Sequence, residues 1–290
     1  MPANFVTVVL LVLLKAAEAV GQLWPYVVAG IVSAALLSHL SQRLGWRVPR
    51  GLPDPVAVPL AAALGVTSPV STIGMAPLIR QLQIEGLSSR VGLTFVLASS
   101  LLNPQLFVLT VGGLGMPFAL AQLAGVLVLS TLLGSIFGTH LRAGSGAEPT
   151  MRGSPGRFFP HLLSLTEHIA FYFLGGVLVA AVFEVSLPMV GVLGWLGERG
   201  LLSTPLVGWL GAPFYTCGGG AVPLASGLMR AGLAPDILFV FLLVGPALRG
   251  TTLGALACLL PKRVQAACLV ALVAVGGLMG YGFGWWGGGI

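Results

Sequence analysis

Charge is what this chain has least of. Of its 290 residues only 8% are Asp, Glu, Lys or Arg, against 56% hydrophobic, and mean hydropathy is +0.99. That leaves too little polar surface to wrap a soluble globule. Cysteine is scarce as well. Cys217, Cys258 and Cys268 form an odd set in apolar context, without C-x-x-C or Cys/His spacing, so neither a disulfide framework nor a zinc site is supported. Cys258 and Cys268 read as small buried hydrophobes. No H-E-x-x-H, P-loop or dinucleotide fingerprint occurs, and Ser71 and Cys217 have no His/Asp or His/Asn partner at comparable depth. The chain therefore reads as no enzyme and calls for no cofactor and no metal. The net charge of +6 comes from basic residues scattered singly among connecting segments, which excludes a nucleic-acid surface.

What the sequence has in abundance is uncharged length. Val91–Gly115, Met116–Thr139 and Val264–Gly287 each exceed the roughly 20 residues a helix needs to cross hydrocarbon. They lack the alternation of barrel strands. The short apolar run Phe5–Leu14 has no preceding positive charge and is followed by Lys15 and Glu18, so it is expected to remain in the mature chain rather than act as a signal peptide.

Sliding the chain against itself by 146 positions lays Gly65–Leu102 on Gly211–Leu248 without a gap, with ten identities in 38 pairs. Chance would give roughly four in so biased a composition, which argues duplication. The halves meet at a polar, Gly/Pro/Ser-rich linker, giving a first transmembrane repeat at 1–142, a cytoplasmic linker at 143–160 and a second repeat at 161–290. Each half is expected to hold a helix (about 19–40 and 162–184), an interrupted apolar stretch (about 55–83 and 201–229) and two long helices.

The interrupted stretches decide the topology. As broken helices crossing once they give parallel repeats; as re-entrant hairpins they give three crossings per half and inverted repeats. A hairpin gathers Arg43, Arg47, Arg50, Arg80, Arg90, Arg142, Arg152, Arg157, Lys262 and Arg263 on the cytoplasmic side, with both termini outside, and this arrangement is favoured. The expected fold is an all-α integral membrane protein of two inverted repeats, each with three transmembrane helices and a re-entrant broken-helix hairpin.

The first break is written "SPVSTIGMAP" and the second "GAPFYTCGGGAVP". Proline and glycine free backbone groups that cannot face lipid, so the tips must line a cavity. Ser71, Thr72 and Gly74 in one half, and Tyr215, Cys217, Gly218 and Gly220 in the other, are the candidate substrate-binding residues there. N–H groups near Gly74 and Gly220 suit an anionic or polar group. Asn103 and Arg249 occupy equivalent repeat positions beside helix breakers and complete the candidate set. Arg249 lies 13 residues from both Asp236 and Lys262, which places it near mid-bilayer. It serves there either as a substrate or counter-ion group or in an internal ion pair with Glu167 or Glu184. Glu167 and His168 are candidates for coupling to a proton gradient, or else an interfacial pair in contact with water.

At these residues the chain resembles the bacterial predicted-permease family that includes organoarsenical efflux permeases. The family pattern T-P-x-C-S-C-G-x-x-P corresponds to "SPVSTIGMAP", G-x-P-x-Y-x-C to "GAPFYTCGGGAVP", and the "FLLAGPATN" helix to "FLLVGPALRGTT". The resemblance implies a permease across nearly the whole chain. Two family cysteines fall on Ser71 and Ile73, and the family asparagine of the second half falls on Arg249, so arsenical specificity does not carry over. The resulting expectation is a secondary transporter in the bacterial cytoplasmic (inner) membrane that moves a small polar or anionic solute, a metalloid or organoarsenical compound among the candidates. Its partners are that solute or ion and the lipid bilayer, with a homo-oligomer left open. A non-transporting membrane scaffold is the alternative, and an intramembrane enzyme a weaker one.

Overall fold

The computed structural model describes residues 5–44, 52–68, 86–141, 220–230 and 232–287, with isolated positions at 79, 83, 174, 177–178, 181–182 and 185. Regular structure among them is helical throughout: α1 (Phe5–Leu44), α2 (Asp54–Thr67), α3 (Ser89–Leu101), α4 (Pro104–Leu114), α5 (Met116–Phe137), α6 (Ala221–Arg230), α7 (Pro235–Leu248), α8 (Gly250–Leu259) and α9 (Lys262–Gly287). Among the described residues four stretches are long and apolar enough to cross a membrane: Thr7–Pro25, Ser89–Leu114, Met116–His140 and Lys262–Trp285. The α7–α8 pair, bent by 55°, makes a fifth if it is counted as one span.

The first helix differs from expectation. It runs 40 residues instead of starting near 19, because nothing in its first half breaks a helix. The two charges there answer one another along one face: Lys15 pairs with Glu18 at 3.3 Å, and Gln22 donates to Glu18 at 3.4 Å. The interrupted stretches each contribute one described arm. In the first half α2 stops at Thr67, and Ser68 turns extended (φ −74°, ψ 125°) as a residue before proline must. In the second half α6 begins straight after the glycine run. The hairpin tips, and with them the choice between re-entry and a single crossing, lie outside the described residues.

The 146-residue shift reappears in the element boundaries. α3 starts at Ser89 and α7 at Pro235; α4 starts at Pro104 and α8 at Gly250; α5 starts at Met116 and α9 at Lys262. Gly86 and Gly232, one repeat apart, both take positive φ (97° and 98°) in the turn that leads into α3 or α7. Only glycine adopts that backbone without strain. What the sequence presents as the first of two long helices is in each half a pair, α3–α4 and α7–α8, with the break beside Asn103 or Arg249.

Packing repeats as well. A Cβ on Gly134 would run into Thr94 and one on Gly138 into Arg90; one repeat later, Gly280 meets Val240 and Gly284 meets Asp236. Bare glycine faces thus let α5 lie against α3, and α9 against α7, at backbone distance. Between the halves Phe118 of α5 contacts Phe239 of α7 (ring centroids 6.0 Å) and Phe283 of α9 (5.5 Å), while Phe239 and Phe283 stack at 4.6 Å. Such pairs contribute roughly 0.5–1.5 kcal/mol each beyond simple burial. Every residue from Val91 to Leu101, and from Ile237 to Ala247, is buried, so α3 and α7 are the two central helices. Leu120, Val128 and Ile136 of α5, and Val270 and Leu278 of α9, are exposed, as a lipid-facing surface requires.

Gly134→Ala and Gly280→Ala are each expected to cost about 1–3 kcal/mol by overpacking. Gly282→Ala, whose Cβ would meet nothing within 4 Å, leaves stability unchanged or slightly raised. Thermal midpoints of the purified protein in detergent check the contrast.

Candidate functional site

The site is built from interrupted backbone. In a helix each carbonyl accepts from the N–H four residues on, and proline has none to give. Pro104 therefore strands the carbonyl of Ser100 at the end of α3, and Pro246 strands that of Leu242 inside α7. In hydrocarbon each would cost several kcal/mol if left unpaired.

Both are answered from the other half of the chain. Arg249 Nη2 donates to the Ser100 carbonyl at 3.0 Å. Gln122 Nε2, from α5, donates to the Leu242 carbonyl at 3.3 Å. Arg249 does more: its Nε donates to Thr252 Oγ1 at 3.1 Å, and the Thr252 hydroxyl donates to the Pro246 carbonyl at 2.9 Å. Pro246 is the repeat equivalent of Ser100. One guanidinium thus serves the last turns of α3 and α7, directly on one side and through a hydroxyl on the other. Helix C-termini carry partial negative charge, so two of them together are a favourable seat for a cation away from water.

At the equivalent break Asn103 is extended (φ −132°, ψ 165°), and its Oδ1 accepts from the Leu106 N–H at 2.7 Å. It caps α4, whose N1 residue is Pro104. Arg249 holds the matching N-cap position of α8 (φ −69°, ψ 147°). Beside the Asn103 break lies Gln105, buried, with its amide Nε2 lacking a hydrogen-bond partner. A buried donor without an acceptor is costly, and in the first turn of α4 it adds to the N-terminal groups there that favour negative charge.

Of the residues picked out from sequence, Asn103 and Arg249 stand at the two breaks, with Arg249 reaching α3 three residues ahead of Asn103. Gly220 is buried at the start of α6, where its carbonyl accepts from Leu224 N–H at 3.3 Å. Ser71, Thr72, Gly74, Tyr215, Cys217, Gly218, Glu167 and His168 lie outside the described residues, as does the alternative ion partner Glu184. One reading is corrected: Cys268 is buried, but Cys258 is exposed, because it sits with Ala257 and Gly254 on the outward side of α8. No group of three or more His, Cys, Asp or Glu that could hold a metal ion occurs among the described residues. Ser100, Gln105, Gln122 and Thr252 were not singled out from sequence. Ser100 could have been found by counting four residues back from Pro104; the donors that meet it and Leu242 come from more than a hundred residues away.

Two cavities open at opposite ends of this core. The first, about 200 Å³, is lined by Asp54, Val58, Arg90, Thr131 and Ser135 among others, and Arg90 Nη1 meets Asp54 Oδ2 there at 3.1 Å. The second, about 370 Å³, is lined by Ala234, Pro235, Asp236, Tyr281, Phe283, Gly284 and Trp285.

Comparison with known proteins adds the family. The sequence profile of the predicted permease family matches residues 10–153 and 156–286. Searches of curated proteins and of solved structures each gave no match. A match over nearly the whole chain, on a molecule of apolar helices broken at two repeat-related points, means that this chain belongs to the predicted permease family.

Proposed function

We propose that this chain is a secondary transporter that carries a small polar or anionic solute across the bacterial cytoplasmic membrane by alternating access between two inverted repeats. The observation that carries the reading is the pair of helix breaks at Asn103 and Arg249, one repeat apart, with the Arg249 guanidinium bonded across to α3. Irregular backbone at membrane depth is tolerated where protein buries it or a wet cavity meets it. Broken helices that point their N-termini at a central site are a recurring way to hold a charged solute.

Inversion is supported by the direction of the helices. Phe118 and Gly125 on α5 meet Phe283 and Met279 on α9, so position advances along one helix as it retreats along the other. These two helices are repeat equivalents, and equivalents running opposite ways imply an in-plane dyad. The solute would sit between the breaks, held by Asn103, Arg249 and Gln105 Nε2, with Ser71, Thr72, Gly74, Tyr215, Cys217, Gly218 and Gly220 closing it from the two hairpin tips. Glu167 and His168 would supply coupling to protons. Metalloid oxyanions and organoarsenical acids fall within the class such donors select. A homo-oligomer is compatible with the exposed apolar faces of α5 and α9.

A second reading of Arg249 rests on its bonds to Ser100 and Thr252: the guanidinium joins the halves, and the solute does not touch it. Proteoliposome flux with a panel of anions and thiol-reactive metalloids, with and without a pH gradient, tests the function. Arg249→Ala is expected to abolish flux under either reading, since it also leaves the Ser100 carbonyl unpaired at about 1–3 kcal/mol. Arg249→Gln separates them. It keeps N–H donors but not the charge, and a transported anion then shows KM raised at least about tenfold, equivalent to one charge-assisted hydrogen bond. Unchanged KM would assign Arg249 to the join alone.

The cross-half bond of Gln122 gives a further expectation. Gln122→Leu should lower stability by about 1–3 kcal/mol by orphaning the Leu242 carbonyl. In a Pro246→Ala background the restored N–H at 246 serves that carbonyl, and the penalty should shrink to a few tenths. Thermal midpoints of the four proteins close the cycle.

A further inference from the structure

The two end cavities are related by the internal repeat. Shifted by 146 positions, Arg90 falls on Asp236 and Ser135 on Tyr281, and each pair lines its own cavity. In the first, Arg90 is satisfied by Asp54 of α2. The same register sets Gly200, which has no side chain, against Asp54. Among the described residues no hydrogen bond or ion pair reaches the Asp236 carboxylate.

Its position near the start of α7 explains an acidic residue through the helix dipole. It does not explain the surroundings. Gly284 leaves the carboxylate flush against bare α9: a Cβ there would meet Asp236 Cγ at 3.3 Å and Oδ2 at 3.4 Å. Tyr281 and Trp285, on the same face of α9, line the cavity with it and are 73% and 90% exposed. One turn toward the middle of the span, Leu278 continues that face as exposed apolar surface. A carboxylate beside two aromatic rings selects an ammonium ion. The place where this occurs, the end of the apolar span Lys262–Trp285, is where a lipid presents its headgroup.

We propose that this cavity binds the ammonium headgroup of a zwitterionic phospholipid, Asp236 taking the charge, Tyr281 and Trp285 flanking it, and an acyl chain lying along Leu278. The proposal stands apart from solute transport. It accounts for a difference between the repeat-related cavities among the described residues: Arg90 of the first meets Asp54, and the charge of Asp236 in the second would be met from the bilayer.

Native mass spectrometry of the delipidated protein in detergent, titrated with phosphatidylethanolamine or phosphatidylglycerol, tests it. Phosphatidylethanolamine should bind at least about tenfold more tightly than phosphatidylglycerol, and Asp236→Asn and Trp285→Ala should each remove most of that preference. Equal retention of the two lipids, or an unaltered preference in Asp236→Asn, overturns the proposal. So does free ethanolamine that competes as well as the intact lipid, because it makes the cavity an amine site and not a lipid site. If Asp236→Asn fails to fold, the largely exposed Trp285 decides alone: preference retained in Trp285→Ala is then the overturning result.

Discussion

A backbone carbonyl inside hydrocarbon has to find a donor, and two that proline has orphaned are where the halves of this molecule are bonded together. Pro104 and Pro246 each remove an N–H from a buried helix, and each vacancy is met by a side chain from the opposite half, Arg249 for Ser100 and Gln122 for Leu242. Helix interruption and the joining of the halves are therefore one feature. Soluble proteins can leave such a carbonyl to water; here the alternative is an unpaired polar group in oil, so the cross-half bond is a condition for having the break at all. The breaks then release helix N-termini at Asn103 and Arg249, and the proposed site rests on them.

Glycine makes the arrangement possible. In lipid there is little hydrophobic gain from bringing apolar helices together, and close van der Waals packing has to provide it. Gly134 and Gly138 against α3, repeated as Gly280 and Gly284 against α7, bring backbones to the distance at which that packing is worth most. The central pair is buried on all sides and α5 and α9 turn exposed apolar side chains outward, so the position of the breaks is set by rigid neighbours on both flanks.

Apolar spans were legible because they are linear patterns. Uncharged length fixes α5 and α9 to within a few residues, and the 146-residue shift survives as identical helix starts and as two left-handed glycines, Gly86 and Gly232. The breaks at Asn103 and Arg249 were legible from adjacent prolines and glycines. The start of α1 was not, because a Lys15–Glu18 pair one turn apart lets a helix run on through the charged stretch after Phe5–Leu14. Exposure of Cys258 was hidden for a related reason: composition reports apolarity, not which way a helix faces. Gln122, Gln105 and Thr252 were hidden because their partners are set by tertiary structure. An isolated glutamine in an apolar helix carries no local signature of the carbonyl it will meet.

The Arg249 environment also constrains how a solute can be held. Each helix C-terminus carries about half a negative elementary charge, so the ends of α3 and α7 together approach a full counter-charge for the guanidinium. The arginine is then stable at that depth without any solute. On the proposed reading an incoming anion would have to compete with the bonds Arg249 already makes, those to the Ser100 carbonyl and the Thr252 hydroxyl among them, which argues for modest affinity. The same competition has a mechanical side. On the proposed reading, an anion that captured the guanidinium would release the carbonyl of α3 and loosen the bond between the halves in the bound state only. That would be the differential interaction a ligand must have before it can shift a conformational equilibrium, with one side chain shared between a structural bond and the proposed binding site.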